Sequence, residues 1–227
     1  TDPKKNSKAV SVESLTFNEA ETLSYFGAKV VYMPTIKPAI DSNIPIIIKN
    51  TFNPWFKWTL ISTKSYENNY TIKCITSVED IVMVKIWDCL KDWNKIYKNL
   101  LDKIWAKNIK LIFCNYEKNN TTIALIIKTK DYGGVKEILE NEYWVAFYKQ
   151  RVNKITIKND LSMITLIWEW AHKSDIISQK ISNSLDSNEI SILKDISSYC
   201  GISVLVEKSN LKKTLDTLHN EFFESKN

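Results

Sequence analysis

The stretch IVMVKIWDCLKDWNKIYKNLLDKIWAKNIKLIF (81–113) returns in altered form as SMITLIWEWAHKSDIISQKISNSLDSNEISILK (162–194). Trp87 falls on Trp168, Asp88 on Glu169 and Ile109 on Ile190. Farther along, 122–144 matches 201–223, so that Glu142 meets Glu221, Tyr143 meets Phe222 and Trp144 meets Phe223. The second copy is shorter in one loop. Two stretches that keep spacing and apolar pattern this closely encode one fold twice, and every other reading of the chain has to accommodate that repeat.

Each copy reads strand, helix, strand, strand, helix. In the first copy the strands are predicted near 80–86, 109–115 and 121–128, and the helices near 93–106 and 132–141. Trp93, Ile96, Tyr97, Leu100, Leu101 and Ile104 form an apolar stripe of helical period. EKNNTT reads as the turn of a hairpin between the two central strands. The order β-α-β-β-α is that of a ferredoxin-like sheet with helices on one face, and RVNKITI (151–157) is expected to complete it. The fold class is therefore α/β in the α+β sense.

The chain before the repeat is organised differently. Ser14 or Thr16 can cap a helix over about 17–26, with Glu19 three residues after Thr16 as in a capping box. Gly27 suits the helix stop. AKVVYM reads as extended, Pro34 as the first turn of another helix carrying Ile36, Ala39 and Ile40, and IPIIIKN as a buried strand. NTFNPW is a turn, and the polar run at 63–71 is the best linker.

Composition narrows the function classes. Thirty-one basic residues face 26 acidic ones, a small excess spread along the chain, whereas nucleic-acid binders concentrate Lys and Arg on one face. The four cysteines have no C-x-x-C spacing, which argues against a zinc ribbon or thioredoxin-like motif and for buried thiols, notably Cys74 and Cys114, in a reducing cytoplasm. No apolar run reaches the ~18 residues of a membrane span. There are only four glycines against eight tryptophans, so ligand loops built from bare backbone amides are scarce.

The first segment resembles the end of the aspartokinase catalytic domain. Phe17, Glu19, Ala20, Phe26, Gly27, Ala28, Lys29, Val30, Pro34, Thr35, Ile36, Pro38 and Ala39 fit that family's S-Y-x-E-A-x-E-L-x-x-F-G-A-K-V-L-H-P-R-T-I-x-P-A segment. Ile44, Pro45, Asn50, Thr51 and Pro54 fit the I-P-x-x-V-x-N-T-x-x-P that follows, and Thr1-Asp2-Pro3-Lys4 resembles its T-D-P-R element. The repeat stands where the family has tandem ACT modules, and the whole is most similar to the bifunctional aspartokinase–homoserine dehydrogenase type. The resemblance implies the tail of an amino-acid-kinase domain at 1–62 and ferredoxin-like ACT modules at 63–158 and 159–227.

For the intact parent it implies ATP-dependent phosphorylation of L-aspartate, with Mg, on the route to threonine, methionine and lysine. Lys4, Lys29 and Val30 fall on its nucleotide pocket, with Lys4 standing where the family has Arg and so keeping charge but losing the bidentate fork. The aspartate-binding residues lie upstream in the family, so this chain alone is expected to be inactive, to hold no cofactor and to contain no catalytic or metal site. An upstream kinase domain and a homo-oligomer formed through the modules are the implied partners, with no nucleic acid and no membrane. The effector positions fall on Trp87, Asp88 and Tyr116. The loops WDCLKDWN (87–94) and WEWAHKSD (168–175) contain no glycine, which argues against tight binding of an amino-acid effector.

The remaining candidates have plainer readings. His172 and His219 are taken as surface or boundary histidines, Asp88 and Glu169 as solvated loop carboxylates, and Gly133-Gly134 as a turn. Trp87, Trp93, Trp105, Trp144, Trp168 and Trp170 are assigned to the core or to contacts between modules. A non-catalytic regulatory or scaffold chain of the same fold is the alternative reading.

Overall fold

The structure is a computed structural model that describes residues 1–28, 31–64, 72–87, 93–117, 121–143 and 154–224. The chain forms two compact units. One joins Thr1–Val78 to the residues from Ser162 onward, and the other comprises Glu79–Leu161. The polypeptide thus leaves the first unit at the start of the first repeat and re-enters it at the start of the second.

Two long strands carry those passages, β4 (Cys74–Trp87) and β7 (Lys154–Ile167). Each contains an aspartate in the left-handed region, Asp80 at φ 56° and Asp160 at φ 54°. Asp tolerates that conformation better than most side chains because its short polar group can bond locally.

In the second unit the strand order is β5 (Leu111–Glu117), β6 (Thr122–Lys128), β4, all antiparallel. Val82, Val84 and Ile86 alternate along β4 with Ile123, Leu125 and Ile127 opposite, and all six are buried. Leu100 and Ile104 of α3 (Trp93–Ala106) and Val135 and Ile138 of α4 (Tyr132–Ile138) close that face. Full burial of each such side chain contributes about 1.5–3 kcal/mol. Gly133 and Gly134 lie inside α4 and are not a turn. A Cβ on Gly134 would meet Ile109 Cδ1 at 2.8 Å, so close helix packing accounts for that glycine.

In the first unit the second repeat runs from Ser162 in β7 through α5 (Asp175–Asp186), β8 (Lys194–Ser198), β9 (Gly201–Glu207) and α6 (Leu211–His219). Its remaining strand comes from the first half of β4: Lys73 N–H donates to the Ile167 carbonyl at 2.8 Å, and Ile72 and Ile75 join Ile164, Leu166 and Trp168 in one core. The two repeats end their first helices alike. Asn108 and Glu189 adopt positive φ, and the Ile109 and Ile190 amides bond back to the Ile104 and Leu185 carbonyls at 3.1 and 2.9 Å, as in a Schellman stop.

The amino-terminal segment forms a three-stranded sheet in the order β1 (Ser14–Thr16), β3 (Thr59–Ser62), β2 (Ile46–Ile48). α1 (Phe17–Tyr25) starts at the Thr16–Glu19 capping box, and α2 (Met33–Asp41) starts with Pro34 in its first turn. The expected buried strand at IPIIIKN is instead an edge strand with Ile47 56% exposed, because among the described residues only β3 pairs with it. Trp105, assigned to core or module contact, is 62% exposed. Cys114 is only half-buried, because it lies on β5 at the end of the strand order.

Candidate functional site

The TDPK element forms a turn in which the Lys4 amide donates to Asp2 Oδ1 at 2.9 Å, leaving the Lys4 side chain exposed. The residues that follow are held by α6 and by the helical turn after it, Asn220–Glu224. Asn6 Nδ2 donates to Asp216 Oδ1 at 3.1 Å, and Lys8 pairs with Glu224 at 2.7 Å. His219 is 1% exposed, a correction to its surface or boundary reading. Its Nε2 lies 3.2 Å from the Lys8 carbonyl, which can only accept, so Nε2 carries the proton and Nδ1 accepts from Thr1 Oγ1 at 2.8 Å. Burial holds this imidazole below the usual histidine range. No local signal announces His219, because its partners stand more than two hundred residues away.

Gly27, at φ +101°, stops α1, and a Cβ there would come within 3.2 Å of the Ser77 carbonyl. Thr76 Oγ1 donates to the Phe26 carbonyl at 3.1 Å and Lys5 Nζ to Ser77 Oγ at 2.8 Å, so the first half of β4 fastens both the opening turn and the helix stop. Between these elements lies a cavity of about 230 Å³ whose walls include Val12, Leu15, Leu23, Ile61 and Cys74. That apolar lining does not suit a phosphate.

The first residues of α1 also reach the loop that follows β7. Glu19 is 1% exposed; Oε2 accepts the Thr16 amide at 2.8 Å and Oε1 accepts the Glu169 amide at 3.0 Å. Burial raises its carboxyl above the usual range, partly offset by those two bonds and by Lys73. In the same loop the Trp168 amide donates to the Cys200 carbonyl and the Ala171 amide to the Tyr199 carbonyl, at 3.3 and 3.0 Å. Trp170 holds φ 64° beside Tyr199, with ring centroids 5.0 Å apart, and Lys173 Nζ sits 4.6 Å from the Trp170 ring.

Of the residues predicted to form sites, Lys29, Val30 and Asp88 lie outside the described residues. Lys4 belongs to the first unit, whereas Trp87 and Tyr116 belong to the second. Trp87 and Tyr116 come to one end of that sheet, since Ile86 and Tyr116 both pair with Ile123. Trp87 is half-buried, donates from Nε1 to Thr156 Oγ1 at 2.9 Å and has Lys85 Nζ 5.6 Å from its ring centroid. Tyr116 packs against the sheet's core. Among the described residues no group of His, Cys, Asp and Glu could hold a metal, and no helix is long and apolar enough to cross a membrane.

The amino acid kinase family model matches residues 1–50. The bifunctional aspartokinase/homoserine dehydrogenase of Buchnera aphidicola subsp. Acyrthosiphon pisum (strain APS) is 28% identical over 229 residues, covering 100% of this chain and 28% of the relative. This chain is similar in sequence to aspartokinases along its whole length. It spans little more than a quarter of the length of that bifunctional relative. Clostridium acetobutylicum aspartate kinase has the same fold over 97% of this chain and 51% of its own, with a TM-score of 0.84 at 23% identity. Escherichia coli aspartokinase III, solved with aspartate and ADP, matches over 98% of this chain and 49% of its own, with a TM-score of 0.80 at 18% identity. In aspartokinase terms the two repeats are ACT-type ferredoxin-like modules.

Proposed function

We propose that this chain is the carboxyl-terminal, regulatory part of an aspartate kinase, with the tail of the catalytic domain at 1–62 and ACT-type modules at 63–158 and 159–227. The observation that carries the reading is the extent of the likeness to bifunctional aspartokinases. It runs through the whole chain, the segment before the repeat included, whereas a free-standing regulatory module would resemble them in the repeat alone. The intact protein transfers the terminal phosphoryl group of ATP, with Mg, to the side-chain carboxylate of aspartate, in the cytoplasm.

Within that protein Lys4 and Lys29 supply positive charge toward the polyphosphate, and Val30 supplies an apolar edge to the nucleotide. The aspartate pocket belongs to the upstream kinase domain, so the chain by itself makes no aspartyl phosphate. The modules hold subunits of a homo-oligomer together. Their loops, around Trp87, Asp88 and Tyr116 in the first and Trp168 to Asp175 in the second, do not bind threonine or lysine tightly. The described amides of the second loop support this reading, because those of Trp168, Glu169 and Ala171 already have partners within the chain.

Thermal melting of the chain with and without millimolar threonine or lysine tests the sensing half of the reading, since a ligand of the folded state raises the midpoint by mass action. No shift is expected, and a saturable rise would show a working effector site. ATP- and aspartate-dependent turnover by the chain alone would contradict the other half.

A further inference from the structure

Most ionisable groups in the first unit sit at its surface, where water solvates them. Glu19 does not: its carboxylate is buried between three segments distant in sequence. One oxygen satisfies the start of its own helix, through the Thr16 amide, as any capping box would. The other crosses 150 residues of sequence to the Glu169 amide, the first position after β7. Helix capping does not require that second bond. Neighbouring contacts point the same way. Asn18 Nδ2 reaches Glu169 Oε1 at 3.4 Å, and Thr22, one turn on from Asn18, is near enough to Cys200 to influence its thiol. One face of α1 therefore lies along the loop at 168–171 and the β8–β9 turn that supports it.

We propose that Glu19 is a built-in carboxylate ligand of the second repeat's first loop, latching that loop onto α1 through the Glu169 amide. The latch is a feature of the unit itself; only its regulatory meaning rests on the aspartate-kinase reading. In that setting it makes Glu19 a positioning residue that ties the second module's loop to the helix ending at Gly27. The tie stands whether or not an amino acid is present. A buried carboxylate is a strong acceptor for a backbone amide, because it bonds without competition from water.

The groups around Glu19 are the Thr16 and Glu169 amides, the Glu169 carboxylate, Lys73, Cys74 and Cys200. Lys73 favours the charged form and the Glu169 carboxylate opposes it. Protonation of Glu19 weakens its acceptor strength toward both amides, so the two amide signals should follow its titration.

Residue-resolved amide exchange on the full chain separates the latch from simple helix capping. Thr16→Ala breaks the capping box from the hydroxyl side and leaves Glu19 facing Glu169. Glu19→Ala removes both bonds. The latch predicts that Glu19→Ala speeds exchange at Glu169 by about tenfold or more, the equivalent of a lost hydrogen bond of about 1.4 kcal/mol, while Thr16→Ala leaves Glu169 unchanged. Unchanged exchange at Glu169 in Glu19→Ala, or equal acceleration in both variants, overturns it. Should Glu19→Ala not fold, a pH titration of the unsubstituted chain by NMR decides. The Glu169 amide proton and the Glu19 carboxyl carbon are expected to move with one midpoint, above the usual carboxylate range. Independent behaviour of the two signals overturns the latch. Neither readout needs kinase activity, so a failure here is distinct from a failure of the parent-enzyme reading.

Discussion

Trp87 donates its indole N–H to Thr156 at 2.9 Å, whereas the Nε1 of its repeat mate Trp168, fully buried, has no partner among the described residues. Thr156 is the third residue of β7, and the third residue of β4 is Thr76. The Thr76 hydroxyl is committed to the Phe26 carbonyl at the end of α1.

Thr156→Val removes the acceptor and leaves the Trp87 indole without its partner. A loss of about 1 kcal/mol is expected, read as a lowered midpoint in urea with an unchanged slope. A neutral result would mean that water replaces Thr156 at this half-buried position.

Gly27→Ala is expected to cost about 1–3 kcal/mol, because alanine at φ +101° is strained and its Cβ presses on the Ser77 carbonyl. Thermal melting checks the loss. Gly133→Ala, where the added Cβ meets nothing within 4 Å, is the matched control and should stabilise α4 by about 0.5–1 kcal/mol.

Glu189 holds the left-handed stop of α5 that Asn108 holds for α3. A glutamate there pays a conformational penalty that glycine avoids. Glu189→Gly should raise stability by about 0.5–1 kcal/mol in denaturant titration, and Asn108→Gly should gain less.

Burial pushes the thiols of Cys74 and Cys200 up to about 12 and that of Cys114 to about 11, from an ordinary value of 9.0. The folded chain therefore keeps these protons to higher pH than the unfolded chain does. Their contribution to stability is intact below pH 9 and is lost progressively as pH rises from there toward 12. Alkylation at pH 8, mapped by mass spectrometry, should be slow at all three in the native chain and fast in denaturant.

Much of the architecture could be read from the sequence where the signals are local. The helix at 93–106 matches α3, and the Thr16–Glu19 box starts α1. Both depend on residues three or four apart, which is the range over which periodicity and capping act. β1 and β3 carried no such signal. They are three and four residues long, and they exist because they pair across more than forty residues. The passage of the chain through the middle of β4 and β7 was equally hidden, since the polar breaks at Glu79-Asp80 and Lys158-Asn159-Asp160 read as strand ends, whereas each strand runs on through its left-handed aspartate. At the candidate site the sequence offered Glu19 as a helix cap but gave no hint of its second partner. His219 was misjudged for the same reason: burial is decided by segments that meet only in the folded chain.

The most direct test of the central claim is aspartyl hydroxamate formation by a chimera in which this chain replaces the matching stretch of the Buchnera bifunctional enzyme. The account predicts ATP- and aspartate-dependent activity that millimolar threonine or lysine leaves unchanged. Loss of activity in a folded chimera would contradict the kinase assignment, and inhibition by either amino acid would contradict the closed effector loops.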